Sequence, residues 1–218
     1  MRGFIRAPLG ALVLTLAIIP ARGWNPEAPS GTIASFESPD EIQKLKLTSA
    51  LVTVVQEHAT DGKQALKIQF ERARSPSLLF PAGDQPWDWR AYGALAFDLT
   101  NPSDEEIGFG LRLDDDPAAD DTHHSVSGRA TIGPRQSVSY SYPLGPTTPM
   151  ANGMRGGPPF TGVEPIIYTS LSRVDEGHIT AFHLFLDRPP ALRTLILDNL
   201  RLLPPISYDG IVDPFGQY

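Results

Sequence analysis

The chain has 218 residues, a net charge of −7 and no cysteine, with 22 Pro and 19 Gly. Its acidic balance excludes a nucleic-acid partner, which needs a basic face. The missing cysteine excludes disulfides and thiol nucleophiles, and the many turn formers point away from a helical bundle toward a loop-rich β protein.

In chain order, the first element predicted is a leader. Arg2 and Arg6 precede an apolar run from Leu9 to Ile19, Pro20 breaks it, and Ala21-Arg22-Gly23 supplies small residues for cleavage before Trp24. Residues 1–23 are therefore expected to be a secretory signal peptide, since the run is too short to span a bilayer. The expectation is a secreted or periplasmic protein without a membrane span after cleavage, whose net charge becomes −10 once Arg2, Arg6 and Arg22 are gone.

Residues 24–208 read as one β-sandwich domain. "GTIASFE" (31–37) is the first strand, and residues 44–59, rich in β-branched side chains, hold one or two more. Asp61-Gly62 marks a turn, after which Leu66, Ile68 and Phe70 alternate with polar residues as in a half-buried strand. The same alternation returns in "GALAFDLTN", in "EEIGFGLRLDD" with Gly108, Gly110 and Arg112 between apolar residues, and in "SVSYSYPL". "HITAFHLFLD" and "LRTLILDNLRLL" carry apolar residues on both faces, as central strands do. Short helices are expected within 39–46 and 165–175. About eight to ten strands at this spacing give an all-β fold, a sandwich or barrel, with long loops over 114–125 and 144–176 where binding residues collect.

Three constellations bear on chemistry. "DDDPAADDTHH" (114–124) fails as an EF-hand, because Ala119 and Ser125 occupy the positions of the required Gly and Glu, and it reads as a solvated acidic loop. "PWDWRAYGAL" (86–95) places Trp87 and Trp89 on one side of an extended segment, either as a stacking platform for sugar rings or as a plug in the sandwich edge. Glu37, Lys63 and Asp198 come together if the first and last strands pair, and carboxylates with turn carbonyls suit a structural Ca²⁺; alternatively the carboxylates cap backbone groups or pair with Lys63. Nucleophile-elbow, HExxH, P-loop and dinucleotide motifs are all absent.

"SFE", "DGKQALKIQF", "PWDWRAYGALAFDLTNP", "LILDNLRLL" and "GIVDPFGQY", in this order, resemble the N-terminal region of bacterial β-agarases. The resemblance implies a jelly-roll β-sandwich of two antiparallel sheets, like carbohydrate-binding modules, followed by a (β/α)₈ catalytic barrel. It makes 209–218 the start of a linker toward a barrel absent from these residues, with Pro214 where the family often has a charged residue. The catalytic carboxylates of such enzymes lie in the barrel, so no residue here inherits that role. The expected function is a non-catalytic module that binds an agarose-like galactan, through Trp87, Trp89 and Arg155, or that braces the barrel through a patch near Phe160 and Phe215. The alternative is an exported structural or adhesive sandwich without a sugar ligand.

Overall fold

The computed structural model describes residues 31–144, 162–169 and 173–205. The leader, the 209–218 segment, Arg155, Phe160 and Phe215 lie outside the described residues. The strands are β1 (Gly31–Ala34), β2 (Lys46–Thr48), β3 (Ala50–Val55), β4 (Ala65–Phe70), β5 (Ser77–Pro81), β6 (Ala94–Thr100), β7 (Ile107–Asp114), β8 (Ser125–Ile132), β9 (Ser137–Pro143), β10 (Glu164–Pro165), β11 (Ile167–Tyr168), β12 (Ala181–Phe185) and β13 (Arg193–Leu203). A seven-stranded sheet runs β10-β9-β6-β13-β4-β3, with β1 also paired to β13, and a six-stranded sheet runs β11-β8-β7-β12-β5-β2. All pairs are antiparallel except β9–β10, which makes the jelly-roll sandwich expected from the sequence.

Period-2 patterning decides which side of each strand turns inward. Ile107, Phe109, Leu111 and Leu113 of β7 face Leu95, Phe97 and Leu99 of β6 in a common core. The rings of Phe97, Phe109 and Tyr140 pack together within it, Phe109 and Tyr140 edge-to-face with centroids 5.0 Å apart. Each large side chain buried here contributes about 1.5–3 kcal/mol.

One helix, α1 (Pro39–Gln43), forms in the first expected place. Ser38 caps it by accepting the Asp40 N–H at 3.3 Å, Pro39 opens its first turn, and Asp40 and Glu41 meet the positive end of its dipole. The second expected helix is absent among the described residues of 165–175. Residues 164–168 instead cross between the sheets as β10 and β11, pinned by the Ile166 N–H on Ser141 O at 2.8 Å and by burial of Ile166.

In β13 a bulge separates Asp198 from Arg201, with Asn199 at φ 51°. The extra residue keeps Leu197 and Leu200 both in the core and sends Arg201 to the outer face. The expected turn at Asp61-Gly62 forms with Gly62 at φ +71°, and a Cβ there would lie 2.5 Å from Glu37 Oε1. Gly62→Ala is therefore expected to cost at least about 1–2 kcal/mol from the left-handed backbone alone, read by urea denaturation; an unchanged midpoint would contradict the clamp that Glu37 makes on this turn.

Candidate functional site on the outer face of the six-stranded sheet

The residues of β7 that alternate with its core set, Gly108, Gly110, Arg112 and Asp114, line the outer face of the six-stranded sheet. Pairing brings Arg112 opposite His183 of β12 and Ser127 of β8, and Gly110 opposite Phe185 and Arg129. A Cβ at Gly110 would lie 2.2 Å from Phe185 Cζ, so only glycine lets this ring lie over the strand. Arg129 Cζ stands 5.7 Å from the ring centroid, a cation–π arrangement. Gly108 is exposed, and a Cβ there would meet nothing closer than 4.0 Å. A bare backbone track thus runs beside an aromatic ring flanked by polar groups.

These polar groups are held in place. Arg112 donates through Nε and Nη2 to both oxygens of Asp114, at 2.8 and 3.0 Å, and through Nη1 to Asp121 at 2.9 Å. His183 Nε2 lies 2.7 Å from Asp114 Oδ2, which places its proton there. Burial pushes the Asp114 carboxyl up, but the hydrogen bonds and charges of His183 and Arg112 overcome it and hold the group below its usual range. Arg112 and His183 keep side-chain exposures of 17% and 14%, enough to meet a ligand in one fixed geometry. Fixed donors and acceptors beside an aromatic ring can recognise sugar hydroxyls.

The residues singled out in the sequence lie elsewhere. Trp89 is 1% exposed within the core. Trp87 is partly buried and stacks on it with centroids 5.3 Å apart, and its backbone bridges Ile179. Trp89 therefore has no face open for stacking and plugs the sandwich, a correction to the platform expectation. Arg155 lies outside the described residues.

Glu37, Lys63 and Asp198 do converge on one turn. Glu37 Oε1 accepts the backbone N–H groups of Lys63 and Gln64, both at 2.6 Å, so Lys63 takes part through its main chain. Asp198 Oδ2 accepts Thr60 N–H at 2.5 Å and Asp61 N–H at 3.0 Å, and Oδ1 accepts Asn199 N–H at 2.7 Å. Among the described residues no three His, Cys, Asp or Glu side chains gather as a metal cluster.

Sequence reading alone missed Asp98, which β6–β13 pairing sets directly opposite Asp198. Like charges so placed repel, and the surroundings answer them. Arg201 Nη1 (3.1 Å) and Ser139 Oγ (2.6 Å) donate to Asp98 Oδ1, and Asn199 Nδ2 (3.0 Å) and Thr60 Oγ1 (2.7 Å) donate to Oδ2. Burial would raise the Asp98 pKa, yet these donors lower it below the usual carboxylate value.

The profile of the family described as "Agarase CBM like domain" matches residues 35–211. The chain is similar to β-agarase B of Vibrio sp. (strain JT0107), 33% identical over 212 residues, covering 87% of this chain and 22% of that protein. A 59-residue stretch is 34% identical to β-agarase A of the same organism, covering 27% of this chain and 6% of that protein. The chain thus spans about a fifth or less of the curated relatives it matches. Among solved structures, an exo-β-agarase superposes with a TM-score of 0.70 at 20% identity, over 83% of this chain and 26% of that one. A family 11 carbohydrate-binding module from Clostridium thermocellum, in complex with a β-1,3-1,4-mixed-linked tetrasaccharide, gives 0.52 at 11% identity, over 82% and 98%. At these identities the structural likeness is one of fold.

Proposed function

Because the chain belongs to the family of agarase carbohydrate-binding-module-like domains, we propose that it is a non-catalytic module that holds a neutral, agarose-like galactan on the outer face of its six-stranded sheet. The observation that carries this is Phe185 lying over Gly110 beside the bare Gly108 track, flanked by Arg112, His183 and Arg129. The cations of this face are matched by Asp114, Asp121 and Asp187, so it presents hydrogen-bonding groups without an excess of positive charge for a sulfated or uronic chain. A catalytic barrel elsewhere in the full-length protein, and secretion by the predicted leader, belong to the same proposal. The barrel is supported by the much greater length of the curated relatives, and the leader by the Arg2 and Arg6, Leu9–Ile19 and Ala21-Arg22-Gly23 pattern of the sequence; no helix among the described residues is long and apolar enough to cross a membrane.

A structural Ca²⁺ is also proposed beside the 60–64 turn. The expected donors, the carboxylates of Glu37 and Asp198, are oxygen, which suits a hard cation; Glu37 Oε1 and Asp198 already take backbone N–H groups of the turn, while Glu37 Oε2 takes no hydrogen bond among the described residues. At a Ca²⁺ concentration about a hundredfold above its Kd the ion adds about 2.7 kcal/mol of stability, so EDTA is expected to lower the melting temperature. An unchanged melt would remove the ion from the account. The binding proposal is tested by retention on agarose beads: release by soluble agarose oligosaccharides is expected, and passage without retention, in Ca²⁺ and in EDTA alike, would contradict it.

A further inference from the structure

The sandwich has a second opening, on its side rather than on a face. β8 and β9 are consecutive strands that belong to different sheets, and between them lies a notch of about 630 Å³, within the range of about 300–1,000 Å³ typical of small-molecule sites. The turn at 133–136 closes one end. The crossover at 164–168 closes the other, with Glu164 set against Tyr140 and Ile167 against Arg129.

We propose that this notch is a second glycan site, taking a short stretch of neutral galactan independently of the sheet face. Tyr140 forms its floor and is locked by donating its phenol to Thr131 O at 2.8 Å; burial and the nearby Glu164 push that phenol up to about 12, so it stays protonated and in place. The rim carries hydrogen-bonding groups with capacity left over. Gln136 Oε1 takes the Gly133 N–H at 3.1 Å, and its amide NH₂ has no acceptor among the described residues. The exposed Glu164 carboxylate likewise takes no hydrogen bond among them and supplies acceptors opposite. Arg129 stands on the ridge shared by the notch and the Phe185 ring. One carboxylate, one guanidinium and one amide around a tyrosine suit a polyhydroxylated neutral ligand rather than an ion. The site rests on the reading of this chain as a glycan binder, but not on the face assigned to that role.

The test is an NMR titration of the whole chain with agarohexaose, following the Gln136 side-chain amide and the backbone amides of Thr131 and Ser137 beside those of Gly108, Gly110 and Phe185. Two sets of shifts with separate Kd values are expected. Gln136→Ala with Glu164→Ala, both at exposed positions, is expected to weaken the notch set at least fivefold and leave the face set alone; Phe185→Ala is expected to do the reverse. Movement of the face set alone would overturn the notch and leave the sheet-face reading standing. Movement of the notch set alone would overturn the sheet face and support the notch, and no movement at saturating sugar would overturn both.

Discussion

Phe185→Ala is expected to lower affinity for agarose oligosaccharides about thirtyfold while leaving the fold intact, because removing a central aromatic contact costs about 2 kcal/mol. The ring is half-buried on an outer face and outside the core cluster, so its loss opens no large cavity. Gly110→Ala supplies an independent check. Its new Cβ would stand 2.2 Å from Phe185 Cζ and must drive the ring off the sheet, so affinity is expected to fall comparably although no ligand-contacting side chain is deleted. Trp87→Ala is the contrasting case. Its ring stacks on buried Trp89, so the substitution is expected to lower the melting temperature and leave the affinity of the folded fraction unchanged. Isothermal titration calorimetry of the three variants separates these outcomes. Loss of binding in Trp87→Ala with none in Phe185→Ala would return the site to the tryptophans.

Asp198→Ala carries the largest expected effect on stability. Two terms compete. Removing one of two facing carboxylates relieves repulsion with Asp98, but Asp98 is already answered by Arg201, Ser139, Thr60 and Asn199. The loss is larger: the backbone N–H groups of Thr60, Asp61 and Asn199 all end on the Asp198 carboxylate, which is itself only 1% exposed. Hydrogen bonds to a charged group contribute about 1.5–3 kcal/mol each, and the exposed turn recovers part of this by solvation, leaving a net cost of about 2–3 kcal/mol. Asp198→Asn keeps one acceptor oxygen and is expected to cost about half as much. Chemical denaturation reads both, and equal stability of Asp198→Ala and the parent would refute the clamp.

Two buried carboxylates, Asp98 and Asp114, bear on the acid limit. Both are held below the usual value when folded. A depressed folded pKa gives stability that is fully present above the unfolded value of about 3.9 and is lost as pH falls through the folded pKa. The melting temperature is therefore expected to be insensitive to these two groups above about pH 5 and to fall below about pH 4.

The sequence was most readable where one face of a strand is apolar. The alternation in "LAFDLT", "IGFGLRL" and "VSYSY" corresponds to β6, β7 and β9. β5 and β8 escaped notice for opposite reasons: "SLLFP" is a short apolar run bounded by prolines, and "SVSGRATI" is too polar and glycine-broken to show a period. In β13 the apolar residues do occupy both faces of a central strand, with Ile196 buried opposite Leu195 and Leu197, while the bulge at Asn199, which resets the alternation, is a backbone event that residue spacing does not reveal. The convergence of Glu37 and Asp198 on the 60–64 turn was legible, since pairing of the terminal strands required it; Asp98 was not, because only the β6–β13 register brings it opposite. The tryptophans drew attention as exposed aromatics, but burial depends on the packing of the 86–93 segment over the sandwich end. Arg112, His183 and Phe185 each stood in view among core residues. Their common signal was the outward half of two alternating strands, "GFGLRLD" and "FHLF", which becomes a site only when β7 and β12 are neighbours.

The most direct measurement is a crystal structure of this chain with agarohexaose bound. The account predicts sugar rings along Gly108, against Phe185 and within hydrogen-bonding distance of Arg112 or His183. Sugar bound only at Trp87, or only on the outer face of the seven-stranded sheet, would contradict it.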